Sequence, residues 1–171
     1  MATNLELKAR ISSLDEALAC ARSCGATFQG ILTQRDTYFR VGRGRLKLRE
    51  FAEGGAELIF YERREDSPER WSHYTKEPVG DGSSVGRVLS EAFGILAVVQ
   101  KRRMLFLFRG ARIHIDDVDG LGSFVEFEVP GEESPEVLAT MRELRSAFGI
   151  TDPMVLRNSY SDIVFAKKNF P

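Results

Sequence analysis

Hydrophobic and polar residues alternate with a period of two over most of this chain, and three stretches replace that rhythm with helical spacing. Ser13-Leu14-Asp15-Glu16 sets a Ser three residues before a Glu, the pattern in which each side chain satisfies the other residue's backbone N–H. Leu14, Ala17, Leu18 and Ala21 follow at steps of three and four, and Gly25 supplies a stop, which predicts a helix. A second helix is predicted from about Ser84 to Phe93, ending at Gly94. A third opens at Ser134-Pro135-Glu136, with Ser as cap and Pro in the first helical position, where its missing N–H is no loss. Val137, Leu138, Met141, Leu144 and Phe148 form its apolar stripe, and Gly149 ends it.

Nine stretches read as strands. They are Leu5 to Ile11, Phe28 to Gln34, Thr37 to Val41, Arg45 to Phe51, Leu58 to Arg63, Ser72 to Lys76, Val99 to Phe108, Ala111 to Val118 and Ser123 to Val129. Gly54-Gly55 and Arg109-Gly110 separate neighbouring strands as hairpin turns do. Helices stand singly between runs of strands instead of alternating with each one, so the expected class is α+β with a largely antiparallel sheet. No repeat or low-complexity segment interrupts the pattern, and the Gly80–Ser84 loop is too short for a linker. A length of 171 residues fits a single domain spanning the chain.

Successive residues of a strand point to opposite sides, so the polar positions can be sorted by face. Arg45, Lys47 and Arg49 share one face, against Leu46 and Leu48 on the other. Asn4, Glu6 and Lys8 oppose Leu5 and Leu7. Arg112, His114 and Asp116 lie together, as do Glu126 and Glu128, whose face also takes Phe124. A half-exposed sheet turns polar faces to water as well. Three cations in succession repel one another, however, and the acids gather in other strands, whereas a water-facing sheet intersperses signs. Segregated cations and carboxylates are what a polyanion with a divalent metal requires: Arg and Lys take phosphate oxygens, and carboxylates take hard ions.

Composition narrows the classes. Hydrophobic residues at 43% and charged residues at 29% exclude disorder and fibrous folds. No apolar run approaches the roughly 18 residues of a membrane helix, and residues 1–8 lack the features of a secretory leader, so a cytoplasmic protein with no membrane partner is expected. The formal net charge of −1 argues against nucleic acid as a partner. Cys20 and Cys24 are spaced for neither a redox pair nor a zinc knuckle and read as small apolar side chains. Trp71, Tyr38 and Phe39 could stack on a base, yet packing is the simpler reading. His114 near Asp116 suits either proton transfer or a structural hydrogen bond. Asp36, Asp117 and Asp119 read as turn or solvated residues.

Asn4-Leu5-Glu6-Leu7-Lys8, Gln34-Arg35-Asp36-Thr37-Tyr38-Phe39 and Arg45-Leu46-Lys47-Leu48-Arg49-Glu50 occur in that order. Lys101-Arg102-Arg103, Arg112-Ile113-His114-Ile115-Asp116, Gly120-Leu121-Gly122-Ser123-Phe124-Val125-Glu126-Phe127-Glu128 and Ser159-Tyr160-Ser161-Asp162 follow. Together, and over nearly the whole chain, they resemble the CYTH family, the class IV adenylyl cyclases and thiamine triphosphatases among the triphosphate tunnel metalloenzymes. The resemblance implies a closed antiparallel β-barrel of about eight strands with flanking helices and a charged tunnel, in keeping with the alternation above. It implies triphosphate-binding roles for Lys8, Arg45, Lys47, Arg49, Arg63, Lys101, Arg103 and Arg112, and metal-binding roles for Glu6, Asp116, Glu126 and Glu128. Strand parity independently supports Lys8, Arg45, Lys47, Arg49 and Arg112; it leaves Arg63 against Arg64, and Lys101 and Arg103 against Arg102, to the resemblance alone.

The activity so implied is Mg²⁺- or Mn²⁺-dependent phosphoryl or nucleotidyl transfer on tripolyphosphate, ATP or thiamine triphosphate, with Lys8, Glu6 and Asp116 as catalytic residues. Hydrolysis is favoured over cyclisation, and homodimers are common among such folds. One departure stands out. The family opens Glu-x-Glu-x-Lys, and here the first acid is Asn4, which leaves open a module that binds polyphosphate without turning it over.

Overall fold

The computed structural model describes the backbone of residues 2–63 and 70–169, and the side chains of residues 2–62 and 70–167. Eight strands form it: β1 (Ala2–Arg10), β2 (Thr27–Phe39), β3 (Arg45–Phe51), β4 (Ala56–Arg63), β5 (Arg70–Val79), β6 (Ile95–Phe108), β7 (Ala111–Val118) and β8 (Gly122–Pro130). They close into an antiparallel barrel in the order β1-β5-β4-β3-β2-β6-β7-β8, a ring with no free edge. β2 to β5 are consecutive neighbours, as are β6 to β8, and β1 joins β5 to β8.

Four α-helices flank the barrel: α1 (Leu14–Ser23), α2 (Gly82–Phe93), α3 (Pro135–Ala147) and α4 (Tyr160–Asn169). α1 and α3 obey their predicted Ser caps, and α2 starts two residues before its predicted first residue, behind an Asp81 cap. Ser13 Oγ accepts from Glu16 N, Asp81 Oδ1 from Ser84 N, and Ser134 Oγ from Val137 N. α1 and α3 cover the outer faces of β1, β7 and β8, where Leu5, Leu7, Ile113, Ile115, Val125 and Phe127 are buried beneath Ala17, Ala21, Met141 and Leu144. α2 lies over Phe39 and Leu48, with Val85 and Leu89 in contact. Alternation thus works in reverse of the usual sheet, with the apolar face outward under helices and the charged face inward. No helix among the described residues is long and apolar enough to cross a membrane.

Two elements depart from expectation. The strands predicted over Phe28 to Gln34 and Thr37 to Val41 are one strand, β2, whose Arg35 and Asp36 pair with Glu50 and Arg49 on one side and Gln100 and Val99 on the other. The other is α4, which has weak apolar contrast but a capping box of its own. Asp162 N donates to Ser159 Oγ, and Ser159 N donates to Asp162 Oδ2. This helix closes one end of the barrel: Tyr160 packs with Phe124, Val99, Val118, Tyr38 and Tyr61, and Ile163 and Val164 lie against them. Phe124 and Tyr160 rings stand 5.0 Å apart.

Candidate active site

Inside the barrel lies a cavity of about 260 Å³. Among the described residues it is lined by seven cationic side chains (Lys8, Lys47, Arg49, Lys76, Lys101, Arg103, Arg112) and five carboxylates (Glu6, Asp36, Glu57, Glu126, Glu128). Strand order sorts them. β3, β2 and β6 carry Lys47, Arg49, Lys101 and Arg103 on one wall; β7, β8 and β1 carry His114, Glu126, Glu128 and Glu6 on the wall across.

The cationic wall converges on Asp36. This carboxylate sits in β2 directly opposite Arg49 of β3, with Lys47 and Lys101 on the diagonals. Arg49 donates to it twice, Nε at 2.7 Å and Nη2 at 2.8 Å, while Lys47 Nζ and Lys101 Nζ reach it at 3.1 and 2.8 Å. Asp36 is wholly buried. Burial by itself would raise its pKa, but Arg49, Lys101 and Lys47 outweigh that and hold the carboxyl well below its usual range. One negative charge thus answers three cationic groups. The imbalance shows in the lysines. Burial, then the neighbouring Arg49, lowers Lys47 to about 8, and burial brings Lys101 well below its ordinary value. Buried cations that are under-compensated are costly, and a bound anion would relieve that cost.

Where Arg103 of β6 reaches β7 and β8, and along the wall across, the charges are better matched. Arg103 Nε and Nη2 clasp Asp116 at 2.7 Å each, and Nη2 also reaches Glu126 at 2.9 Å. Lys8 Nζ meets Glu126 Oε1 at 3.0 Å and lies 3.8 Å above the Tyr160 ring. Arg112 Nε donates to Glu128 at 2.7 Å. Burial opposes ionisation of Glu126, yet Lys8 leads the contributions that keep its carboxyl well below the usual range. His114, Glu126 and Glu128 bring one donor atom each to within 4.8 Å of one another. His114 Nδ1 is buried without a hydrogen-bond partner, 3.5 Å from Glu126 and 3.6 Å from Glu128. An imidazole nitrogen between two carboxylates suits a divalent cation when the ring proton sits on Nε2, because Nδ1 then offers its lone pair.

The CYTH domain model matches residues 2–160. The chain belongs to the CYTH family. Several solved structures share the fold. The PH1012 protein of Pyrococcus horikoshii superposes with a TM-score of 0.87 at 21% identity, covering 94% of this chain and 99% of that one. A candidate adenylate cyclase of Vibrio parahaemolyticus gives 0.75 at 21%, over 94% and 96%. A candidate adenylyl cyclase of Hippeastrum, whose structure is described as revealing a dominant triphosphatase activity, gives 0.70 at 15%, over 100% and 98%. At these identities the likeness is one of fold. A search of curated proteins finds no match.

Set on this CYTH barrel, the residues singled out by sequence divide by position. Lys8, Lys47, Arg49, Lys101, Arg103, Arg112, Glu6, Glu126 and Glu128 all line the cavity. Lys101 and Arg103 point inward and Arg102 is exposed, which resolves what parity left open. Arg45 stands at the rim, where its guanidinium pairs with Asp162 of α4 at 2.8 Å, in a separate surface recess. Asp116 is inside the barrel but not on the cavity wall: Arg103 engages both its oxygens and Tyr160 Oη donates to one at 2.9 Å. The Arg63 side chain and all of Arg64 lie outside the described residues. Asp36 corrects the reading of it as a turn or solvated residue, because it faces inward from the middle of β2. Asp117 and Asp119 are exposed as expected, and Trp71 packs on the outer apolar cluster. Gln34, Lys76 and Glu57 also line the cavity and were not singled out as site residues.

Asn4 explains its own departure from the family signature. With its amide turned so that the oxygen faces Arg112 and the nitrogen faces Thr3 O, it accepts from Arg112 Nη2 at 3.1 Å and donates to Thr3 O at 3.1 Å. The amide therefore holds an arginine in place instead of adding a negative charge.

Proposed function

We propose that this protein hydrolyses a triphosphate-bearing small molecule, tripolyphosphate, ATP or thiamine triphosphate, with Mg²⁺ or Mn²⁺ as cofactor. The observation that carries the reading is the trio Lys47, Arg49 and Lys101 sharing the single carboxylate of Asp36 inside a closed barrel. A polyphosphate supplies the missing negative charge. Arg49 and Arg103, whose Nε and Nη2 already pair with carboxylates, offer Nη1 to phosphate oxygens, and Lys47 and Lys101 act as point charges beside them. Lys8 and Arg112 bracket the opposite wall. Glu126 and Glu128, with Glu6 nearby on β1, would hold the divalent ion. When bound, such an ion neutralises phosphate charge and polarises the phosphoryl oxygen. Asp116 serves the site through Arg103, whose guanidinium it fixes between β7 and β8. The apolar plug of Phe124, Tyr160 and Tyr38 closes one end, so the phosphates enter from the other and the organic part of the substrate stays nearer that open mouth.

The engaged amide of Asn4 favours a second reading, a CYTH module that grips polyphosphate without turnover. Incubation with tripolyphosphate, ATP and thiamine triphosphate, each with Mg²⁺ or Mn²⁺, separates them. Phosphate release is the expected result. Cyclic AMP with pyrophosphate from ATP would identify a cyclase, and tight binding with no product a module.

The lowered lysines set a pH dependence for binding. Lys47 in the empty protein releases its proton around pH 8, but a bound polyanion favours the charged form and returns its pKa towards 10.5. Below pH 8 the proton is already in place and Lys47 adds no slope. Above it, binding takes up a proton and affinity falls, by up to about tenfold per unit for each such lysine. Calorimetric titration with tripolyphosphate from pH 7 to 9.5 should show the decline, and Lys47→Arg should flatten it in part, since Lys101 remains. A flat wild-type profile would mean that Lys47 never meets the anion.

A further inference from the structure

His114 has no role in the reading above, and its surroundings suit one. It projects inward from β7, opposite Glu126 and one inward position from Arg112, which faces Glu128. The ring is buried, with a relative exposure of 5%. Nδ1 makes no hydrogen bond, although carboxylate oxygens of Glu126 and Glu128 lie 3.5 and 3.6 Å away. An unsatisfied buried nitrogen normally costs free energy, which a cationic ligand would recover. Its distances to the oxygens are close to the separation of donors that share one ion, roughly 3.0–3.5 Å when each bond is about 2.1 Å. Each carboxylate also has a cation at its other side, Lys8 and Arg103 for Glu126 and Arg112 for Glu128, so both are anchored with an oxygen turned towards the imidazole.

We infer that His114 Nδ1, Glu126 and Glu128 form a mixed nitrogen–oxygen site for a divalent transition ion, and that His114 biases it towards Mn²⁺ over Mg²⁺. The inference rests on the proposed cation requirement and adds the ligand that selects the ion. Magnesium keeps to oxygen donors, whereas imidazole gains affinity along the first-row series that begins at manganese.

Pulsed electron paramagnetic resonance on the full chain with Mn²⁺ alone tests it directly. The wild type should show ¹⁴N modulation from a directly bound imidazole, converting to the ¹⁵N pattern when the protein is grown on ¹⁵N-histidine. The chain has two histidines, and the other, His73, is exposed and bonded to Thr3, so His73→Gln should keep the signal. His114→Gln should lose it and bind Mn²⁺ about tenfold more weakly, with a smaller change for Mg²⁺. Because the wild-type spectrum decides by itself, poor folding of the variant does not blunt the test. Bound Mn²⁺ with no nitrogen coupling, or no Mn²⁺ binding at all, overturns the inference. Nitrogen coupling in a protein that releases no phosphate from any triphosphate upholds it while refuting the hydrolase reading; phosphate release with oxygen-only Mn²⁺ does the reverse.

Discussion

Asp36→Asn is expected to lower the melting temperature by roughly 10 °C, and tripolyphosphate is expected to restore more of that loss than it adds to the wild type. The amide keeps the shape of the carboxylate but removes the charge that Lys47, Arg49 and Lys101 share. Deleting one partner of a buried ionic cluster costs roughly 3–5 kcal/mol, because the remaining charges stay desolvated. In a protein of this size each kcal/mol moves the midpoint by about 2–4 °C. The second half of the expectation follows from competition. In the wild type a polyanion must share the three cations with Asp36; in the variant it meets them unopposed, and ligand that binds only the folded state stabilises it by mass action. Acid should imitate the substitution weakly and late. Asp36 titrates well below its ordinary value in the folded protein, so its stabilising charge is present above that ordinary value and is lost only as pH falls through the depressed one. Thermal melts of both proteins with and without metal-free tripolyphosphate decide the matter. An unchanged midpoint would show that Asp36 does not organise the cationic wall.

That Asp36 escaped sequence reading has a physical reason. Strand prediction treats polar residues between apolar runs as a break, and Arg35-Asp36 separates the predicted strands Phe28 to Gln34 and Thr37 to Val41. In a barrel with a charged interior the inward row is polar by design, so Asp36 continues the strand that it seemed to interrupt. The same inversion made other rows legible: Arg45, Lys47 and Arg49 against Leu46 and Leu48 announced an ionised face that helices do not cover. Which of those cations reach the cavity was beyond local pattern. Arg45 obeys the parity but lies at the rim beside Asp162, because a row of three spans about 13 Å at roughly 3.3 Å per residue. The metal-suited trio is likewise a matter of register: His114 and Glu126 are directly opposed on β7 and β8, a pairing fixed by the hairpin between them and not by either strand alone. α4 could have been found. Its apolar stripe is weak, but Ser159 and Asp162 carry the Ser-x-x-Asp spacing of a reciprocal cap.

The other large effect is expected at Arg103. Arg103→Met keeps an apolar stem of similar length while removing the guanidinium that joins Asp116 of β7 to Glu126 of β8. Lys8 still faces Glu126 and Tyr160 Oη still donates to Asp116, so two buried carboxylates keep one cation and one hydroxyl between them. The loss should again be roughly 3–5 kcal/mol at pH 7. Its pH dependence separates lost electrostatics from lost packing. In the wild type both carboxyls titrate below their ordinary values, with burial opposing and Arg103 foremost among the groups that lower Asp116. Their contribution is therefore in place above the ordinary carboxylate range and fades as pH falls through the depressed values. Without the guanidinium, burial of Asp116 is opposed chiefly by the weaker influence of Lys101 and the Tyr160 hydroxyl, its pKa rises, and its charge becomes a penalty at pH 7 that protonation relieves. The gap between wild type and variant should thus narrow steadily from pH 7 to pH 4.5 in urea denaturation. A gap of the same size at both pH values would assign the loss to packing and remove Arg103 as the electrostatic link between the two strands, and a gap under about 1 kcal/mol at pH 7 would show that the carboxylates tolerate burial without it.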